Sequence, residues 1–152
     1  MSKIINFLWY DDQAEEAANF YISIFKNSKI TGISHYNKSA AKVAKRPEGS
    51  VLTINFQLAG HDFIALNGGP QFKFSEAISF MIICKDQSEI DYYWEKLSAA
   101  PEAEQCGWLK DKYGLSWQIV PKNMSELIKT NAAMQAMLNM KKINIAELND
   151  AN

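Results

Sequence analysis

The chain has 152 residues, 47% apolar and 22% charged, with a net charge of -1. That composition is globular, and the length suffices to bury a core without a disulfide or a structural metal. The near-neutral balance excludes the basic face that nucleic acids or anionic membranes require, and no run approaches the roughly 20 apolar residues of a membrane span.

In chain order, residues 4–10 read as a buried strand. Asp12 and Glu15 have the spacing of a capping box and predict a helix start. Ala14, Ala17, Ala18, Tyr21 and Phe25 then form an apolar stripe over residues 13–25. A strand near 28–36, a polar loop at 37–49, and strands at 50–58 and 61–67 follow. The last two meet at Ala59-Gly60, as in a hairpin. Loop 37–49 carries Lys38, Lys42, Lys45 and Arg46 with no interleaved aromatics, so it reads as a solvated connection, or as a flap over a cavity.

The pattern then restarts. Residues 77–84 read as a buried strand, and Asp86-Gln87-Ser88-Glu89 repeats Asp12-Gln13-Ala14-Glu15 at an offset of 74 residues. Two copies of one unit imply a fold with pseudo-two-fold symmetry. The second copy is shorter, with strands at 104–109 and 115–120 and a turn at Lys112-Tyr113-Gly114. Pro121 ends the last strand. A helix is predicted from Asn123, capped with Glu126, with Leu127, Asn131, Met134 and Leu138 on one face. Asn144 and Glu147 cap a final short helix. Met134, Met137 and Met140 read as packing filler against the sheet or a second subunit. The expected organisation is a first βαβββ unit at 1–74, a shortened second unit at 75–122 and a helical extension at 123–152, all in one integrated domain.

Several segments carry a family resemblance. They are Phe7-Leu8-Trp9-Tyr10-Asp11 with Gln13 to Ala17 and Phe20-Tyr21, then Ala65 to Pro70 with Phe72 and Phe74. Gln105-Cys106-Gly107-Trp108-Leu109-Lys110-Asp111 and Gly114 with Ser116 to Pro121 complete the set. With the duplication, they resemble the vicinal oxygen chelate superfamily of glyoxalases, bleomycin-resistance proteins and dioxygenases. The match is closest to a sub-group labelled 3-demethylubiquinone-9 3-methyltransferase. The resemblance implies an α+β fold in which two βαβββ units form an open mixed-sheet barrel, glyoxalase-like, with the C-terminal helices added. It also implies a homodimer. In the metal-dependent members, inward His, Glu or Gln residues on the first and last strand of each unit hold a divalent ion.

Carried over one position at a time, those ligand positions fall on Asn6 or Leu8, on Ala65, on Ser79 or Met81, and on Gln118. Of these, only Gln118 has ligand chemistry. His35 and His61 are the chain's two histidines and read as exposed or structural, pairing only if strands 28–36 and 61–67 set them side by side. No metal and no cofactor are expected. Strand alternation puts Phe63, Ala65 and Asn67 on one side, and Ser116, Gln118 and Val120 on one side. With Gln118 inward, the predicted ligand-binding cavity holds Asn67, Ser116 and Gln118 with walls from Trp9, Phe72, Phe74 and Trp108. The competing reading is that these aromatics fill the core. Cys106 is a further candidate in the cavity, although no adjacent histidine would activate it as a nucleophile. Asn67-Gly68-Gly69-Pro70 lacks the Lys-Ser/Thr of a phosphate loop and reads as a tight turn.

A methyltransferase of the doubly wound type needs a glycine-rich turn after its first strand. Here that strand runs into Asp11-Asp12-Gln13, with no glycine before Gly32, so the residues do not support the sub-group's label. Three functions stay open: a small-molecule binding protein, an enzyme (metal-dependent, or using Gln118, Asp111 or Cys106), and a structural partner acting through a dimer surface. The missing ligand set beside an aromatic cavity favours binding. No signal-peptide pattern opens the chain, and Cys84 and Cys106 are spaced neither as a redox pair nor as a zinc knuckle, so a cytoplasmic protein with reduced thiols is expected.

Overall fold

The computed structural model describes residues 2–152, in two units: one ends at Lys73 and the other is Phe74–Asn152. The first contains β1 (Asn6–Tyr10), α1 (Ala14–Ile24), β2 (Lys29–His35), α2 (Lys38–Ala44), β3 (Val51–Leu58) and β4 (His61–Asn67). Its sheet has the order β1-β4-β3-β2, with β1 parallel to β4 and the other pairs antiparallel. The β3–β4 hairpin closes through Ala59 (φ 47°) and Gly60 (φ 84°), the paired left-handed geometry that suits a two-residue turn between twisted strands.

The alanines at 14, 17 and 18, with Tyr21 and Ile24, form the buried stripe of α1. Small side chains there let the helix lie close to β3 and β4. The sheet answers with Leu8, Tyr10, Ile54, Phe56, Phe63 and Ala65, all buried, and the Phe56 and Phe63 rings stack 5.4 Å apart. The start of α1 differs from the expected Asp12–Glu15 box. Gln13 is the cap residue and makes no capping bond with its side chain. Instead Asn67 Oδ1, 53 residues away, accepts from Ala14 N at 2.8 Å. Asn67 Nδ2 donates to Val51 O at 3.1 Å, and its own carbonyl accepts from Tyr36 Oη at 2.5 Å. One buried side chain thus ties α1, β3 and the end of β4.

The polar loop expected at 37–49 is in part helix. Asn37 Oδ1 accepts from Ala40 N at 2.9 Å, and Lys45 at φ 54° ends α2. Ala40, Ala41 and Ala44 supply the helix propensity.

The second unit contains β5 (Phe80–Cys84), α3 (Gln87–Leu97), β6 (Trp108–Lys110), β7 (Ser116–Pro121), α4 (Met124–Leu127), α5 (Asn131–Leu138) and α6 (Ile145–Ala151). The sheet order is β5-β7-β6, with β5 parallel to β7 and β6 antiparallel to it. It therefore has three strands where a complete βαβββ unit has four. Among the described residues the missing strand is replaced by a 3-10 turn at Pro101–Ala103 and a tight turn at Cys106 (φ 50°) and Gly107 (φ 85°). The strand read at 104–109 shrinks accordingly.

The Asp86 cap is as expected: Asp86 Oδ1 accepts from Glu89 N at 2.9 Å, and Glu89 Oε2 reaches back to Lys85 N at 2.7 Å. Beyond Pro121 the single helix predicted from Asn123 is two. Asn123 makes no capping bond, and Thr130 Oγ1 accepts from Ala133 N at 3.0 Å to start α5. Asn144 Oδ1 caps α6 through Glu147 N at 3.2 Å. These helices close a cluster of Leu127, Met140, Ile143 and Leu148, with Met137 against it. Gln87 fastens the cluster to α3, accepting from Ile145 N at 2.8 Å and donating to Ile143 O at 3.0 Å.

The Asn67 clamp has a measurable worth. Asn67→Ala removes a helix cap and leaves Val51 O without its donor, so urea unfolding is expected to lose about 2–3 kcal/mol.

Candidate functional site

Each sheet packs a helix on one face, so strand alternation divides its residues between a covered and an open side. In the second unit Cys84, Leu109, Trp117 and Ile119 are buried, with α3 packed against their strands. The hairpin beneath them is held by Asp111, a buried carboxylate that accepts from Tyr113 N (2.9 Å), Leu115 N (3.1 Å) and Trp117 Nε1 (2.9 Å). The Asp111–Gly114–Trp117 spacing in the sequence is thus the signature of a braced turn.

The opposite face is open. Register sets Trp108, Gln118 and Met81 in one row across β6, β7 and β5, and Val120 beside Ile83 in the next. Met81 is 54% exposed and Ile83 65%. Gln118 Nε2 donates to Ser79 Oγ at 2.9 Å. Toward the start of β7 the face turns polar. Lys110, opposite Ser116, forms an ion pair with Glu76, and the buried Ser116 hydroxyl has no hydrogen-bond partner.

In the first unit the open face carries Phe7, which is 57% exposed, and Trp9, registered with Ile64 and Leu66. Trp9 Nε1 donates to Gly69 O at 2.9 Å, and its ring meets Phe72 edge-on at 4.9 Å. The indole lies so close over Gly68 that a Cβ there would sit 2.3 Å from it. This contact, more than turn geometry, accounts for the glycine.

Ser116, Gln118 and Trp108 share the open face of the second unit, and Trp9 and Phe72 form an aromatic pair in the first. Asn67 lies on the helix-covered side of β4, its amide consumed by Ala14 and Val51. Phe74 opens the second unit and is half-buried. Cys106 sits in the turn before β6, its Sγ 3.4 Å from Leu138 O and its amide donating to Met140 O. Strand alternation had already placed Val120 with Gln118; Ile83 is the neighbour it did not name, and cross-strand register, which pairs it with Val120, is the signal that finds it.

The positions where metal-dependent relatives keep ligands offer little to a cation. Leu8 and Ala65 are buried on the helix side, and the open side presents Phe7, Ile64, Leu66 and Met81. Gln118 contributes one amide oxygen, short of the three or more donors a divalent ion requires. His35 pairs with Val51 and His61 with Leu58, at opposite ends of β3, and both are exposed. Among the described residues no three His, Cys, Asp or Glu side chains converge.

A family model described as 3-demethylubiquinone-9 3-methyltransferase matches residues 2–120. The PhnB protein of Bacillus cereus, which bears the same methyltransferase label, is 35% identical and superposes with a TM-score of 0.65, covering 79% of this chain and 99% of its own. Protein PA1353 of Pseudomonas aeruginosa shares the fold at 12% identity, with a TM-score of 0.57 over 80% of this chain and 98% of its own. The fosfomycin resistance protein FosX of Listeria monocytogenes is 16% identical, with a TM-score of 0.48 over 86% of this chain and 97% of its own. No curated protein matches the chain.

Two outcomes follow from this geometry. Gly68→Ala forces the Trp9 indole aside, and thermal or urea unfolding is expected to lose about 1–3 kcal/mol. Cys84 is fully buried, and burial together with the negative Glu89 and Asp86 pushes its thiol up to about 12. Folding therefore favours the protonated thiol, and its contribution to stability is lost as pH rises from the thiol's ordinary value, near 9, toward 12. At pH 8 iodoacetamide is expected to spare Cys84 in the native protein and to label it after unfolding, as read by peptide mass.

Proposed function

Because the chain belongs to the 3-demethylubiquinone-9 3-methyltransferase family, within the vicinal oxygen chelate superfamily, we propose that it binds a small organic molecule without a metal ion, on the open sheet face around Gln118. The observation that carries this reading is one row of side chains. An amide, bonded to Ser79, stands between an indole and an exposed methionine on the side of the sheet opposite α3. Burying the exposed part of Met81 or Ile83 gains about 1–2 kcal/mol each, which supplies affinity, and the amide supplies orientation.

Methyl transfer has no support in the residues. Both sheets mix parallel and antiparallel pairs, and β1 enters α1 through Asp11-Asp12-Gln13 instead of a glycine-rich turn that would receive a nucleotide. A divalent cation lacks a donor set, so the ligand is held by shape, hydrogen bonds and aromatic contact. The exposed apolar side chains Phe7 and Phe72 of the first unit favour a second copy of the chain as partner, giving a homodimer. No described helix is long and apolar enough to cross a membrane. The free thiols fit a reducing cytoplasm.

Met81→Lys tests the site. It is expected to leave stability within about 0.5 kcal/mol and to weaken binding of naphthalene at least about tenfold, followed by the Trp108 indole resonance. Unchanged naphthalene binding would remove the site from this face. The purified protein is expected to carry well under one equivalent of zinc, nickel, manganese or iron, to show no saturable S-adenosylmethionine binding, and to scatter light as twice 17.2 kDa.

A further inference from the structure

The Ser79–Gln118 pair carries information about the ligand's chemistry, on the premise that the open face of the second unit is the binding site. Gln118 Nε2 donates to Ser79 Oγ at 2.9 Å. That bond uses one of the two amide protons and one lone pair of the hydroxyl. Gln118 Oε1 is left as an acceptor, and the second amide proton and the Ser79 proton are left as donors. Exchanging the amide's oxygen and nitrogen changes the roles and not the sum: Ser79 then donates to the amide oxygen, its own oxygen accepts and the amide nitrogen donates. In both orientations the pair presents at least one acceptor beside two donors, enough to meet a neighbouring N–H and C=O together.

Three further features narrow the ligand. Trp108 and Met81 flank Gln118 on neighbouring strands, one strand spacing of about 4.8 Å away on either side, so a molecule bonded to the amide lies against the indole and the thioether. Lys110, on the same side of β6 as Trp108, is matched by Glu76, so its charge does not draw an anion to the Gln118 row. Ser116, on the same face, holds a buried hydroxyl that no protein group satisfies, which marks this end of the sheet as having more polar capacity than the fold uses.

We infer that the site takes a flat, uncharged ring bearing a cyclic amide, whose N–H and C=O pair with the acceptor and donor of Gln118 and Ser79 while the ring stacks on Trp108. A carboxylate at Gln118 meets Lys110 already paired with Glu76, and a pure hydrocarbon strips water from the Gln118 acceptor without replacing its bond.

The test uses 2-quinolone, N-methyl-2-quinolone and naphthalene as probes on the full chain, followed by NMR shifts of the Trp108 indole and Met81 methyl. The expected result is 2-quinolone binding at least about tenfold tighter than its N-methyl form, a preference that Gln118→Leu and Ser79→Ala each abolish. Circular dichroism confirms that both variants fold, and Ser79→Ala, at a half-buried position, keeps the test open if the leucine variant does not. Equal binding of the two quinolones, or a preference that survives both substitutions, overturns the inference. If naphthalene shifts the same resonances while the quinolones show no preference, the binding face stands and the cyclic-amide reading falls. If no probe shifts them, both fall.

Discussion

The arrangement rests on each sheet packing a helix against one face only. A β-strand turns successive side chains to opposite sides, so a single helix decides the role of every strand residue at once. Where α1 packs on β3 and β4, the alternate set Ile54, Phe56, Phe63 and Ala65 becomes core. Where α3 packs on β5, β6 and β7, Cys84, Leu109, Trp117 and Ile119 do the same. Everything chemically available is then on the other parity. The two polar side chains that brace the units, Asn67 and Asp111, are deep in the covered layer and spend their hydrogen bonds on backbone amides and an indole. They act on the site only by holding the strands that carry it.

What the sequence made legible was local. The Asp86–Glu89 cap, the Ala59-Gly60 turn, the alanine stripe of α1 and the restart after 74 residues all involve residues close in the chain, where spacing is geometry. The α+β class and the family followed from these patterns and their motifs. What failed was non-local. The Asp12–Glu15 pair has the same spacing as Asp86–Glu89, yet the first helix takes its cap from β4, because Asn67 delivers an oxygen there with its backbone already fixed by pairing to β1. Helix α2 was obscured by the lysines around its three alanines, and the break before Thr130 by an apolar pattern that runs through it.

The face of Asn67 is the instructive case. Parity within β4 correctly grouped it with Phe63 and Ala65, but parity alone does not say which group faces the helix. Only the partner strand and the helix decide that. Gln118 was grouped with Ser116 and Val120, and its neighbours Trp117 and Ile119 are the ones buried on the α3 side. Relative orientation between two strands 50 residues apart is a tertiary quantity, and no spacing rule contains it.

A face that offers an amide and a hydroxyl among apolar side chains has a source of specificity different from that of a metal ion. A cation would organise oxygen ligands by charge and tolerate little else. Gln118 and Ser79 instead offer a weak, directional pair surrounded by apolar surface. In water each of their unused groups is already solvated, so the pair adds little net affinity to a matching ligand. Its effect is on the mismatched one, which must leave the acceptor or the hydroxyl dry beneath an indole and a thioether. Selectivity on such a face comes from penalty more than from attraction. On the proposed reading, tightness and choice fall to different residues: Met81, Ile83 and Trp108 supply the apolar contact, and Gln118 with Ser79 the selectivity.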